Sequence, residues 1–302
     1  MTRKILFLIN PISGTANKNA VREQIIRRCE KEKLCFEIHP TNKEGKYDWL
    51  KNKISQEQFT DIIGCGGDGS ISQISSSLIG ADVNVGIVPM GSGNGLAYAA
   101  KISANITKAL DVIVRGKAEY IDGFTINGHF SCMLCGLGFD AQVAHDFAHK
   151  HKRGLFTYIK VSARNFFKDK CYPFQINING VIVKGNFFFI SIANSNQFGN
   201  HFTIAPQADL SDGLVDIIAV KKMHKFRMMF TILKHLKFGR VVPVDDPNDK
   251  SDILYFKAAE FTISNPGKAP FHMDGEPKET PDVLKVRVIR NAIRLLQPVV
   301  SK

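Results

Sequence analysis

Short apolar runs alternate with amphipathic stretches over roughly the first 120 residues of the chain. The apolar runs are typical of strands buried in a parallel sheet, and they lie at residues 5–9, 35–39, 61–65 and 83–88. Helix-spaced apolar positions predict helices between them, at residues 17–33, 47–55 and 71–79, with a further helix that opens at Leu96. Strands and helices in alternation predict a doubly wound α/β domain.

The pattern changes near residues 118–125. Asn127-Gly128 and Asn179-Gly180 each separate two short β-like runs, and Asn-Gly is typical of the type I′ turn of a hairpin. Further strand-like runs follow at residues 187–193, 213–220, 255–264 and 284–289. The second half is therefore predicted to be an antiparallel β-sandwich, with one domain at residues 1–122 and the sandwich at 123–289.

Three loops rich in glycine or small polar residues follow predicted strands, at residues 10–14, 66–72 and 91–95. Because parallel strands end at one edge of a sheet, we expect the loops to converge there. The central loop leads into a helix, and loop amides together with a helix N-terminus form an anion site. Asp68 stands among those amides, where an acid suits a metal ion or a proton acceptor.

The chain of 302 residues carries a net charge of +12, which predicts a negatively charged partner. It has no zinc-finger spacing, leucine-zipper heptad or RNA-binding aromatic signature, so specific nucleic-acid binding is not expected. No apolar run approaches the ~20 residues of a membrane span, and the first residues lack a secretory core. With six scattered cysteines, this predicts a cytoplasmic protein.

A basic amphipathic helix is predicted at residues 223–240. Its apolar side chains share one helical face: Phe226, Met229, Phe230, Leu233 and Leu236. Two interpretations stay open, because such a helix can lie in a membrane interface or pack on the sandwich with its charges in solvent.

Several motifs recur in an order that identifies a resemblance. They are Asn10-Pro11-Ile12-Ser13-Gly14, Gly66-Gly67-Asp68-Gly69-Ser70, Gly91-Ser92-Gly93-Asn94, Gly136-Leu137-Gly138-Phe139-Asp140-Ala141, Ser211-Asp212-Gly213-Leu214-Val215-Asp216 and Asp274-Gly275-Glu276. Over nearly its whole length the chain resembles the diacylglycerol kinase catalytic-domain family, which includes sphingosine, ceramide and soluble bacterial lipid kinases. The resemblance implies an N-terminal domain similar to those of NAD kinases and phosphofructokinases. It also implies a sandwich with the lipid pocket, and final residues, about 290–302, that return to the N-terminal domain.

The resemblance also implies ATP and Mg²⁺ as cofactors, and phosphoryl transfer to a lipid hydroxyl at a membrane surface, with diacylglycerol or a related lipid as acceptor. Asp68 would reach the Mg²⁺ directly or through water, and Glu276 is preferred over Asp68 as the general base. A structural Mg²⁺ would lie at Asp212 with the backbones of Asp209 and Leu214. The residues implied around ATP are Asn10, Pro11, Ser13, Gly14, Thr41, Gly66, Gly67, Asp68, Gly69, Ser70, Ser72, Gly91, Ser92, Asn94, Asp274 and Gly275.

Two positions depart from the family pattern. Ser70 stands where the central loop usually has Thr, which keeps the hydroxyl, and Gly95 stands where the third loop usually has Asp. Two alternatives stay open. NAD kinases share the Gly66-Gly67-Asp68-Gly69 loop, which allows an NAD-kinase-like enzyme with a soluble acceptor, and the missing carboxylate at Gly95 allows a non-catalytic relative that binds nucleotide or membrane. The sequence does not identify the lipid, and it leaves a homodimer open.

Overall fold

A computed structural model describes residues 3–14, 16–42, 44–148, 155–168, 170–197, 203–238 and 251–299. The chain divides into two compact units. The N-terminal unit comprises Met1–Asp122 and Arg290–Lys302, and the C-terminal unit comprises Gly123–Ile289. Within the described residues, no helix is long and apolar enough to cross a bilayer.

The N-terminal unit alternates strands and helices, as the apolar periodicity predicts. Its elements are β1 (Lys4–Ile9), α1 (Lys18–Lys31), β2 (Cys35–Pro40), α2 (Trp49–Glu57), β3 (Asp61–Gly66), α3 (Asp68–Ser77), β4 (Asn84–Pro89), α4 (Gly95–Ala99) and α5 (Ile106–Arg115). Strand β5 (Lys117–Ile126) then leads towards the C-terminal unit.

Four parallel strands form the sheet of the N-terminal unit, in the order β2-β1-β3-β4. Arg294 and Leu295 of the last strand, β15 (Val283–Gln297), continue this sheet by pairing with Asn84 and Val85 of β4. Strand β3 is buried along its whole length and β1 along nearly all of it, which explains their continuous apolar sequences. The prediction of a doubly wound α/β domain is confirmed.

The C-terminal unit is mostly antiparallel β-structure. Its elements are β6 (His129–Ser131), β7 (Leu134–Gly138), α6 (Phe139–Ala148), α7 (Leu155–Lys168), β8 (Tyr172–Ile178), β9 (Val181–Ala193), β10 (Val215–Lys221), α8 (Lys225–Phe238), β11 (Ile253–Ala258), β12 (Glu260–Ser264), β13 (Phe271–Met273) and β14 (Glu276–Lys278).

Strand β9 connects the layers of the sandwich, because its first half pairs with β8 and its second half with β7 and β10. The strands enclose one apolar core that includes Phe124, Phe187 and Leu254. Asn127 and Asn179 have φ values of +51° and +52°, and each is followed by a glycine with positive φ. Both hairpin turns and the β-sandwich are therefore confirmed.

One strand prediction is wrong in detail. Residues 255–264 were expected as a single strand, but the structure has two strands separated by Ala259. Strand β11 pairs with β10, whereas β12 pairs with β8 and β15, so the chain changes partners at this point. A change of partner of this kind, in which one continuous apolar run serves two layers, leaves no mark in the hydrophobic pattern.

Candidate active site

The first two loops of the N-terminal unit are joined by a side-chain hydrogen bond. Asn10, directly after β1, donates from Nδ2 to Oγ of Ser70 at 2.7 Å. Its backbone amide donates to the carbonyl of Cys65, at the end of β3, at 2.9 Å. Its Oδ1 accepts the amide of Ile12 at 2.9 Å, which turns the first loop. Asn10 therefore connects two loops that lie 60 positions apart in the sequence.

Backbone contacts between glycines bring the third loop against the other two. A Cβ on Gly14, which has φ +57°, would lie 1.9 Å from the carbonyl oxygen of Met90. A Cβ on Gly91 would lie 2.4 Å from the Cα of Gly67. No larger residue fits at Gly14 or Gly91 without displacing backbone. The predicted convergence of the three loops is present in the structure.

Asp68, the first residue of α3, directs its carboxylate at the start of α4. Asn94, Gly95 and Leu96 donate their backbone amides to it. Burial raises the pKa of Asp68, and these amides act in the opposite direction by stabilising the carboxylate. With the amide of Asp68 itself, these donors engage most of the about four lone-pair positions that a carboxylate offers. Gly95, the unusual residue, contributes through its amide.

The side chain of Asn94 closes the third loop on itself. Asn94 is buried and has φ +58°. Its Oδ1 accepts the amide of Gly91 at 2.8 Å, and its Nδ2 donates to the carbonyl of Gly91 at 3.0 Å. Both ends of the amide group are therefore engaged within the loop, so Asn94 shapes the loop.

The other residues of the N-terminal unit that were expected around ATP lie at or close to the same sheet edge. Thr41 follows β2, and its amide donates to the carbonyl of Ile9 at 2.9 Å. Ser72 is buried in α3, whereas Pro11 and Ser92 are exposed on their loops. Gly66, which ends β3, and Gly69, in the first turn of α3, frame Gly67 and Asp68. The first amides of α3 have no acceptor within the helix, as at every helix N-terminus. They can therefore donate hydrogen bonds to an anion bound at this edge of the sheet.

Lys18 is a residue that the sequence reasoning missed. It lies in the first turn of α1, and its ammonium donates to the carbonyls of Ser13 and Ala16, the latter at 2.8 Å. Burial lowers the pKa of Lys18. The ammonium therefore holds the end of the first loop against the start of α1. Its only signal in the sequence is a lysine next to the N-cap, Asn17.

In the C-terminal unit, the Asp274-Gly275 pair forms the turn between β13 and β14, with φ values of +51° and +78°. Oδ1 of Asp274 accepts Oγ of Ser131 at 2.6 Å and the amide of Leu134 at 3.3 Å. Glu276 is different, because its side chain is 44% exposed and meets only Lys278, at 3.3 Å, among the ion pairs of the described residues. Asp274 thus holds the hairpin, and Glu276 is the acid that is presented to solvent.

The Gly136–Ala141 motif supports the same hairpin. Gly136 pairs with His272 across β7 and β13, and a Cβ on Gly136 would lie 2.0 Å from the Asp140 carboxylate. The Asp140 carboxylate therefore occupies the space that a side chain at position 136 would need. It accepts Oγ of Ser191 at 3.0 Å and lies 3.5 Å from Nε2 of His272.

The turn before β10, where a structural Mg²⁺ was expected, already has a cation. Oδ1 of Asp209 and of Asp212 accept amides within the turn, from Ser211 and Leu214, each at 2.9 Å. The ammonium of Lys257 lies 2.8 Å from Oδ2 of Asp212. A magnesium ion at this turn would take the place of that ammonium beside Asp212, and the structural Mg²⁺ site stays a prediction. Within the described parts of the chain, no group of three or more His, Cys, Asp or Glu residues is arranged to hold a metal ion.

Two family models match the chain, and together they span most of it. The diacylglycerol kinase catalytic domain matches residues 4–126. The YegS C-terminal NAD kinase beta sandwich-like domain matches residues 134–297, which is more than half of the chain. The chain belongs to the diacylglycerol kinase catalytic-domain family. Its family and the names of its relatives indicate a lipid kinase, which is a transferase.

Relatives of this family match nine-tenths or more of the chain at low identity. The diacylglycerol kinase of Bacillus subtilis (strain 168) is 24% identical over 91% of this chain and 90% of its own. A "probable lipid kinase YegS-like" protein of Alcanivorax borkumensis is 24% identical, with 99% and 98% covered. The crystal structure of a diacylglycerol kinase from Bacillus anthracis (strain Sterne) shares the fold, with a TM-score of 0.75, 17% identity and 98% and 97% covered.

Proposed function

We propose that this chain transfers the γ-phosphate of ATP, with Mg²⁺, to the hydroxyl of diacylglycerol or a related lipid at a membrane surface. The single observation that supports this most is the joining of three loops at one sheet edge. Asn10 bonds to Ser70, and Gly67 lies against Gly91, in front of the first turn of α3. This arrangement places the amides of the first turn of α3 beside the three loops, which suits the binding of a nucleoside triphosphate.

Glu276 is the general base in this proposal. A lipid hydroxyl needs a base that can approach it within hydrogen-bond distance, with lone pairs that are free to accept the proton. The Asp68 carboxylate is occupied by backbone amides, and the Asp274 carboxylate is occupied by Ser131 and Leu134. Glu276 is the half-exposed acid of the Asp274-Gly275-Glu276 motif, and its counter-ion Lys278 is on the same strand.

Asp68 has a different role in this proposal. Its carboxylate accepts the backbone amides that open α4 and so holds the start of that helix in place. Mg²⁺, when bound with ATP, supplies positive charge to the transferred phosphate, and it usually keeps several of its water ligands. In this proposal Asp68 contacts that ion through water, because backbone amides already hold its carboxylate.

Phosphate transfer from radiolabelled Mg-ATP to a panel of lipids tests this function. The panel contains diacylglycerol, monoacylglycerol, ceramide, a sphingoid base and phosphatidylglycerol, and NAD serves as the soluble acceptor. We expect wild-type protein to label a glycerolipid and the Glu276→Gln variant to lose about 100-fold or more of that rate, as loss of a general base does.

The control is Glu279→Gln, which removes an acid of the same kind three residues further along. It should leave the rate unchanged. Labelled NAD without labelled lipid would replace the proposal with the NAD-kinase-like alternative. Bound ATP with no labelled acceptor at all would instead make the chain a non-catalytic relative.

A further inference from the structure

Helix α8 turns its most apolar face outward. Four large apolar side chains lie at helical spacing and are solvent-exposed: Phe226 (66%), Met229 (37%), Phe230 (76%) and Leu233 (57%). We call these four residues the α8 stripe. The spacing of i, i+3, i+4 and i+7 places them on one side of the helix. The helix packs through another face, so the interpretation that only its charges lie in solvent is wrong for these four residues.

The orientation of α8 is fixed by contacts on its other sides. Met228 is fully buried, and Thr231 and Ile232, on the same side, are partly buried. Lys225 donates to the carbonyl of Phe166 at 2.5 Å, and its ammonium lies 4.1 Å from the ring centre of Phe188. The outward direction of the α8 stripe is therefore a consequence of the packing of the helix.

An ion pair fixes the flank of the helix as well. The guanidinium of Arg227 donates two hydrogen bonds to the carboxylate of Asp252, at 2.9 and 3.0 Å. This bidentate geometry resists rotation of the helix about its axis. A rotation that buried the stripe would break this pair and expose Met228.

The sequence around the stripe has basic residues and no acidic ones. Between Asp216 and Asp245 the chain has seven Lys and Arg residues and no Asp or Glu. Lys222 and Lys234 are exposed among them. Exposed apolar side chains with lysines beside them are the composition of helices that lie in a membrane interface, where apolar residues enter the lipid and lysines meet its anionic head groups.

We propose that the α8 stripe is the surface by which this protein docks on an anionic membrane, with α8 lying in the plane of the interface. The proposal rests on the proposed function, since a lipid acceptor is reached at a membrane. The positive charge around the stripe favours an anionic membrane over a second copy of the chain as its partner. A second copy of the chain would bring the same basic segment against this one, and like charges would oppose that contact.

Co-sedimentation with vesicles, without ATP, tests the docking surface. The probes are phosphatidylcholine vesicles with and without phosphatidylglycerol at roughly one third of the lipid, which gives the vesicles a negative surface potential. We expect binding only to the anionic vesicles, and weaker binding at high salt. The double variant Phe226→Ser/Phe230→Ser should bind at least about tenfold more weakly, because both apolar anchors are lost.

The matched control is Val181→Ser/Ile182→Ser, which removes two apolar side chains that are 47% and 46% exposed in the same unit. It should bind like wild type. Lys222→Glu/Lys234→Glu should also weaken binding to anionic vesicles. The six side chains replaced in these three double variants are all exposed. Circular dichroism and thermal melting verify the fold of each variant.

Two outcomes would overturn the docking proposal. One is equal binding of the serine variant and wild type to anionic vesicles. The other is a wild-type dimer in sedimentation velocity that the serine substitutions dissociate, because the stripe would then be the contact between copies. Kinase assays with lipid in detergent micelles separate the docking proposal from the proposed function. If the serine variant loses vesicle binding but keeps its activity on micelles, docking is supported. If the wild-type protein binds vesicles but phosphorylates lipid neither in vesicles nor in micelles, only the kinase proposal is refuted.

Discussion

The backbone amide of Gly275 donates a hydrogen bond to Nδ1 of His272, at 3.3 Å. This bond leaves the ring proton on Nε2, which lies 3.5 Å from the Asp140 carboxylate. Asp140 in turn accepts Oγ of Ser191. Ser191, Asp140 and His272 are nearly or completely buried, and together they fix the turn that precedes Glu276.

We expect His272→Leu to lower kcat about tenfold and to change KM for ATP by less, because the turn loses its acceptor while the three loops of the N-terminal unit are untouched. His272→Asn should restore most of the rate, since an amide oxygen can accept from Gly275. Steady-state kinetics with ATP and lipid varied separately measure both values. His145→Leu is the control, because Nε2 of His145 lies 2.9 Å from the carbonyl of Phe271 on the same strand. Equal losses in both leucine variants would reduce His272 to a general role in stability.

The bond between Asn10 and Ser70 predicts a matched pair of substitutions in the central loop. Ser70→Ala removes the acceptor of Asn10 Nδ2 and should weaken ATP binding by about 1 kcal/mol, roughly fivefold in Kd. Ser70→Thr keeps the hydroxyl and should bind ATP like wild type. Isothermal titration with a non-hydrolysable ATP analogue measures this. If Thr weakens binding as much as Ala, the space around Ser70 matters and the hydrogen bond does not.

Because backbone amides at the start of α4 bond to the Asp68 carboxylate, two substitutions can separate the effect of its charge from its role as a hydrogen-bond acceptor for that helix. Asp68→Ala removes the acceptor at the start of α4 and should destabilise the protein by about 1–2 kcal/mol, as loss of a helix cap does. Asp68→Asn keeps an oxygen acceptor and should cost less than half of that. It should still raise the Mg²⁺ concentration needed for half-maximal activity, because the charge is gone. Denaturant unfolding and Mg²⁺ titrations of activity check the two effects, and an unchanged Mg²⁺ requirement would exclude Asp68 from metal binding.

Periodicity and turn chemistry predicted most of the fold because those signals are local. Continuous apolar runs indicated the buried strands β1 and β3, and Asn127-Gly128 and Asn179-Gly180 indicated the hairpins. The direction of α8 was not predictable, since the stripe of Phe226 and Phe230 looks the same in sequence whether it faces a core or solvent. Which face a helix buries depends on its tertiary neighbours, here Phe166 and Phe188.

The candidate site shows the same division. Loops at strand ends were predictable, because every parallel strand of the sheet ends at the same edge. The partners of individual acids were not, since the Asp68 carboxylate meets amides 26 to 28 positions away. The ion pair of Asp212 with Lys257 is likewise a contact between residues 45 positions apart, and no spacing rule foretells it.

A buried carboxylate in the sandwich predicts a dependence of stability on pH. Asp216 is fully buried and accepts the hydroxyl of Tyr255, and burial raises the pKa of Asp216 to about 6. The folded protein therefore holds this proton more tightly than the unfolded chain, in which the pKa is about 4. The free energy of unfolding that depends on Asp216 is highest below about pH 4 and falls as the pH rises to about 6.

Asp216→Asn should consequently stabilise the protein at pH 7.5 and leave it unchanged at pH 4. The difference between the two pKa values sets an upper limit of about 3 kcal/mol, since each tenfold change in proton affinity corresponds to about 1.4 kcal/mol. The asparagine keeps an oxygen that accepts from Tyr255. Thermal melts of wild type and variant from pH 4 to 8 measure the effect, with Asp209→Asn, at an acid in the turn before β10, as control. A gain in Tm of the same size at both ends of that range would show that packing, and not ionisation, is responsible.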